Sequence, residues 1–166
     1  MNKNRFLNIL FFSLNGAFAI FLVLNFIFNF LKLEYLLALF FILNSIYLFF
    51  KFILYYSDSG LFFGSFNFLN GIFVIITTHF NLGLLKLFSF IFLSFVCSCF
   101  FIFCFFKSSY FFYAFFSGFL IFFPIIFYSF NVIDLKNFFI FISSCVIINL
   151  FLYFILIKSV KRNWYG

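Results

Sequence analysis

Long charge-free apolar runs, each closed by a single charged residue, constrain this chain more than anything else in it. Residues 6–31 carry no charge. Glu34 and Lys51 bracket 35–50, and the apolar character continues to Tyr56. Further charges cut out 59–85, 87–106, 108–133 and 137–157. About 20 apolar residues in a helix cross the hydrocarbon of a bilayer. Helix is the form in which a single span satisfies all its own backbone amides there. Short alternating segments of the barrel type are absent. The expected architecture is all-α: a polytopic transmembrane helix bundle of five to six spans, one integral membrane domain over 1–166. The candidate spans are 6–31, 35–56, 59–85, 87–106, 108–133 and 137–157. Pro124 predicts a kink in the fifth, which makes that segment the one that could lie partly in the interface. No internal repeat is evident.

Composition excludes a soluble domain: 68% of residues are hydrophobic and 8% charged, with mean hydropathy +1.31. Forty-two phenylalanines against one proline also point to codon usage in a very AT-rich genome. An organellar genome is the first reading, and a reduced endosymbiont or parasite genome the alternative. The 26 residues of 6–31 exceed a signal-peptide core, so they read as a first span. The expected location is the mitochondrial inner membrane, crossed several times.

Loop charge tests the span count. With six spans, Lys3, Arg5, Lys51, Lys107, Lys158, Lys161 and Arg162 collect on the side of the termini. Lys32, Lys86 and Lys136 fall on the other. The bias favours six spans with the termini on the positive side, the matrix in a mitochondrion. Trp164 and Tyr165 beside that basic tail read as an interfacial anchor. The net charge of +7 is scattered singly between spans. It fits head-group contacts, with lipids such as cardiolipin, and no nucleic acid.

Much chemistry is excluded. A single histidine cannot supply a bis-histidine haem, nor a copper or haem–copper centre. Arg5 and Arg162 are terminal, so no arginine lies in mid-membrane as a rotary ATPase channel requires. There is no glycine-rich phosphate loop and no Ser-His-Asp set. Cys97, Cys99, Cys104 and Cys145 lack zinc or cluster spacing and read as small apolar residues. No catalytic residue, metal or bound cofactor is expected of this chain alone. Glu34 reads as a solvated loop residue or as a carboxylate on a proton path, and His79 as an interfacial group or a proton relay. Asp58 and Asp134 read as loop residues.

One stretch stands apart. Residues 66–81, FNFLNGIFVIITTHFN, place two asparagines, a glycine, two threonines and the histidine in an apolar run. Gly64, Asn67, Asn70 and Gly71 share one helix face. Small and amide side chains on one face let membrane helices pack closely and hydrogen-bond across. Asn beside Gly also favours a local π-bulge or kink.

Phe68 to Ile75 of this stretch resembles the third-helix signature of subunit six of mitochondrial NADH:ubiquinone oxidoreductase, complex I. That family has Tyr, an aliphatic, Gly, Ala or Gly, then an aliphatic run. Chain length, the position after two spans, Asn44-Ser45 in the second span and a short basic tail also resemble it. The resemblance implies a membrane-arm subunit that couples quinone reduction to proton translocation. Its third helix would switch between π-bulge and α-helix at Phe68, Asn70 and Gly71, with Glu34 and His79 as possible members of a proton path. It implies membrane-arm subunits as partners. NADH, FMN, iron–sulfur clusters and ubiquinone would be held elsewhere in the complex. Phe68 replaces the signature tyrosine and Asn70 the first glycine, and the family mostly has five spans. Residues 70–78 also resemble the penultimate helix of cytochrome c oxidase subunit three, without its two histidines. A non-catalytic membrane scaffold or a small transporter is the third reading.

Overall fold

Six helices follow one another through hairpin turns, and each is long and apolar enough to cross a bilayer. The structure is a computed structural model that describes the backbone of residues 3–164 and the side chains of 3–155. The helices are α1 (Lys3–Phe28), α2 (Leu33–Tyr55), α3 (Asp58–His79), α4 (Leu84–Phe106), α5 (Ser109–Ser129) and α6 (Leu135–Trp164). The fifth segment is therefore a continuous helix long and apolar enough to span, one of six such helices among the described residues. Side chains of the predicted anchor, Trp164 and Tyr165, lie outside the described residues.

Odd-numbered helices end earlier than the charges imply. α1, α3 and α5 stop at Phe28, His79 and Ser129, three to six residues short of the predicted limits. The reason is local. Asn29, Asn81 and Asn131 each take a left-handed backbone, with φ of 54°, 49° and 57°. Asn tolerates that conformation better than most side chains and so closes a helix where Gly would otherwise serve. Charge marks the water boundary, whereas the asparagine marks the end of the hydrogen-bond ladder. At α1 a further clamp holds the turn: buried Asn25 donates from Nδ2 to Leu31 O at 3.1 Å and accepts from Leu31 N at 2.7 Å.

These turns disclose a repeat that the sequence conceals. At the end of α3, Leu82 N donates to Thr77 O and Asn81 N to Thr78 O. At the end of α5, Val132 N donates to Phe127 O and Asn131 N to Tyr128 O, the same pattern fifty residues on. At the opposite membrane side, α2 and α4 both end on a left-handed residue, Tyr56 or Lys107, followed by an N-cap serine, Ser57 or Ser108. The chain is thus three helical hairpins, α1–α2, α3–α4 and α5–α6, in one orientation. Phe and Leu dominate every hairpin, so self-similarity is largely hidden by composition and is plainest in the turn residues.

Backbones of consecutive helices approach each other, and among the described residues no other helix pair does so. The bundle is a row in chain order. α3 and α4 sit at its centre, where 44% and 33% of the span is buried, against 6% for α1 and α6. The closest pair is α2 with α3, because Gly60, Gly64 and Gly71 lie on the face toward α2. A Cβ at Gly60 would come within 2.9 Å of Phe52 N and 3.1 Å of Leu48 O. α3 is thin enough there that α4 reaches across it: Phe52 meets Phe105 and Phe106 edge-on, with ring centroids 5.6 and 6.2 Å apart.

α5 continues as helix through Pro124. Proline has no amide hydrogen, so Leu120 O loses its usual partner four residues on. In hydrocarbon that carbonyl needs another donor. Cys145 Sγ of α6 supplies it at 3.3 Å. Tyr113 Oη donates to Asn149 O at 3.1 Å, and Asn149 Nδ2 lies 3.5 Å from Ser117 O. Polar contacts therefore fasten α6, whose apolar surface gains little from leaving lipid.

Candidate functional site

The candidate site lies where α3 meets α2. Asn70 is buried, and its Oδ1 has no hydrogen-bond partner among the described residues. Gly71 faces α2 so closely that a Cβ would stand 2.7 Å from Ile42 Cγ1 and 3.0 Å from Ala38 O. Ala38 is fully buried, as two backbones at this separation require. Ser45 of α2 and Thr77 of α3, also buried, turn inward to their own helices: Ser45 Oγ donates to Ile42 O, Thr77 Oγ1 to Phe73 O and Val74 O. The buried hydroxyls are thus spoken for, and the Asn70 carbonyl stands alone among them.

Phe68 does not join this contact. It is 42% exposed and meets Phe49 edge-on across α2 and α3. It lines an apolar groove with Phe52, Leu61, Ser65, Phe101 and Phe105. The groove encloses about 470 Å³ and suits an acyl chain. Residues 68–71 are regular α-helix, and α3 contains no π-turn from Asp58 to His79. The π-bulge anticipated at Asn70–Gly71 is thus not formed in this conformation. Close approach to α2 is what the glycine provides.

Glu34 and His79 are not brought to Asn70. Glu34 occupies the first turn of α2, exposed, beside a shallow hollow with Lys32, Thr77, Thr78 and Asn81. His79 is the last residue of α3, also exposed, with its ring edge-on to Phe80. Nine residues of helix, about 14 Å at 1.5 Å per residue, separate it from Asn70. Both sit at the membrane surface where the loops belong, at the same side as Lys86 and Asp134. Asp58 opens α3 at the opposite surface, where its carboxylate accepts from Ser59 N at 2.7 Å.

Cysteines follow two different rules. Cys99 is buried and Cys104 exposed, in keeping with small apolar residues on opposite faces of α4. Cys145 departs from that reading, because it is a hydrogen-bond donor to Leu120 O. Asn149 is the polar residue that sequence reasoning missed. It is buried on α6, and its Oδ1 lacks a partner as Asn70 Oδ1 does. A single amide in an apolar run was the available signal, and Asn70 drew notice only because glycines stood beside it.

Six spanning helices, an apolar exterior and buried amides define a multi-pass α-helical membrane protein. No known protein family, curated protein or solved structure matches the chain.

Proposed function

We propose that the chain is a non-catalytic subunit of a larger respiratory complex in the mitochondrial inner membrane, and that this complex is NADH:ubiquinone oxidoreductase. The observation that supports the reading is the unpartnered Asn70 Oδ1 beside Gly71, at the closest helix contact of the molecule. A buried acceptor left without a donor is unfavourable by about 1–3 kcal/mol. That penalty is relieved if a water enters or if the local helix rearranges. A shift from α to π in one turn of α3 changes which backbone groups are paired. The Asn70 carbonyl, buried and unpartnered, is the acceptor that an amide hydrogen released by such a shift would use. The α-helical form described above is one end state of that switch. Electron carriers would sit on partner chains, and this chain would contribute the conformational link and a wall of the proton route.

Purification from native membranes in mild detergent tests the reading. The tagged chain is expected to migrate with an assembly that reduces ubiquinone with NADH. Gly71→Leu is expected to impair proton-coupled quinone reduction while NADH oxidation by artificial acceptors continues. Migration of the chain by itself, or with cytochrome c oxidase, would overturn the proposal.

A further inference from the structure

One face of α1 repeats a helix-docking face of α3, yet nothing covers it. Residues 14–20 read Leu-Asn-Gly-Ala-Phe-Ala-Ile, and residues 69–75 read Leu-Asn-Gly-Ile-Phe-Val-Ile. Five of these seven positions are identical, and each copy lies on the first helix of a hairpin. The packing of the two copies agrees where it can be compared. The motif phenylalanine meets the second helix of its own hairpin in both. Phe18 approaches Phe40 of α2 with ring centroids 5.4 Å apart, and Phe73 approaches Phe90 of α4 at 4.9 Å. With that contact fixed, the motif glycine points the other way. In α3 it points at the preceding helix, where a Cβ on Gly71 would collide with Ile42 and Ala38 O. Beside α1 no helix among the described residues occupies that place, and a Cβ on Gly16 would meet nothing within 4 Å.

Around Gly16 the same face carries Phe12, Ile20, Val23 and Ile27, which are 72%, 65%, 57% and 63% exposed. All five lie within one stripe at helical spacing. Gly118 of α5 adds a third instance of the rule, since its Cβ position would fall 2.9 Å from Val96 Cγ2 of the preceding α4. First helices of the second and third hairpins therefore use a glycine to seat the helix before them. The first hairpin has the glycine, and among the described residues no helix is seated on it.

We infer that this α1 face seats a transmembrane helix of a neighbouring subunit, running antiparallel to α1 as α2 runs against α3. The occupant presents a small residue at the depth of Gly16, in the role Ala38 plays opposite Gly71. This rests on the reading of the chain as one subunit of a larger complex and names where the next subunit attaches. The alternating row explains the orientation: a helix in this place continues the α2–α3 and α4–α5 contacts by one more step.

Photo-crosslinking in native membranes tests it. A benzophenone side chain is placed at Ile20 or Val23 on the face, and at Leu22, exposed but about 120° round the helix from Gly16, in the full chain. Adducts to one other polypeptide are expected from positions 20 and 23 and not from 22. Gly16→Leu should abolish them, and Gly16→Ala should lower the yield, as an added methyl at Gly71 would crowd the α2–α3 contact. Adducts with lipid alone, or with a second copy of this chain, would overturn the inference. If the chain still migrates within a large complex while positions 20 and 23 yield only lipid adducts, the docking face is wrong and the complex stands. A chain that migrates by itself removes both.

Discussion

Replacing Gly71 with alanine adds one methyl group at the tightest point of the α2–α3 contact. The added carbon would stand 2.7 Å from Ile42 Cγ1 and 3.0 Å from Ala38 O. Neither neighbour yields easily. Ile42 is β-branched and held in one rotamer on its helix, and Ala38 O belongs to the backbone. The two helices must therefore separate by a few tenths of an ångström along a contact that Gly60 and Gly64 continue. Overpacking of this kind is unfavourable by about 1–3 kcal/mol. Against it stands the helix preference for alanine over glycine, about 0.5–1 kcal/mol. The net expectation is a loss centred on about 1 kcal/mol and reaching about 2.5 kcal/mol. Gly16→Ala supplies the opposite case, because its Cβ would meet nothing within 4 Å and only the helix preference remains. In purified protein, unfolding equilibria in mixed detergent and SDS should place Gly71→Ala below the natural chain and Gly16→Ala at or above it. Equal stability of Gly71→Ala and the natural chain would refute the claim that this glycine is there for backbone approach.

Three further expectations follow from single contacts. Asn70→Leu removes an unpartnered buried carbonyl, so the same unfolding titration should show stability unchanged or raised by up to about 1–3 kcal/mol, with any loss confined to function. Cys145→Ala should destabilise by about 0.5–1.5 kcal/mol through the lost bond to Leu120 O; in Pro124→Ala, where the helix regains its own donor, that effect should vanish, and a double-mutant cycle reads the difference. Ser57→Ala should be unfavourable by about 1 kcal/mol, since Ser57 Oγ accepts from Gly60 N at 3.1 Å, whereas Ser108→Ala should be near neutral because Ser108 makes no such cap. A similar effect at both serines would show that the cap bond is not what matters.

How much of the site was legible in sequence varied with the kind of contact. Gly71 and Asn70 stood out because a small residue and an amide in an apolar helix have few uses other than packing and hydrogen bonding. Their partner could not be read, since Ala38 and Ile42 look like any other apolar residues of α2. Glu34 and His79 drew attention as ionisable groups, and their positions at helix ends place them at the membrane surface rather than beside Asn70. Cys145 gave no sign at all. Its role exists only because Pro124, 21 residues earlier, leaves a carbonyl open on the preceding helix α5.

Sequence alone determined that the chain is a bundle of five to six apolar helices running in alternating directions, and the continuous helix α5 then brought the number long enough to span to six among the described residues. In hydrocarbon each helix closes its hydrogen bonds within itself, so a run of about 20 apolar residues fixes its own conformation whatever surrounds it. Charges at the ends of the runs then set which side each turn occupies. The arrangement of the helices, the three-hairpin repeat and the bare face of α1 were decided only in the tertiary structure. Lipid is as apolar as leucine or phenylalanine, so hydropathy cannot say which face of a helix meets protein and which meets the bilayer. That choice is made by a few glycines, amides and one thiol, whose meaning depends on what the next helix places opposite them.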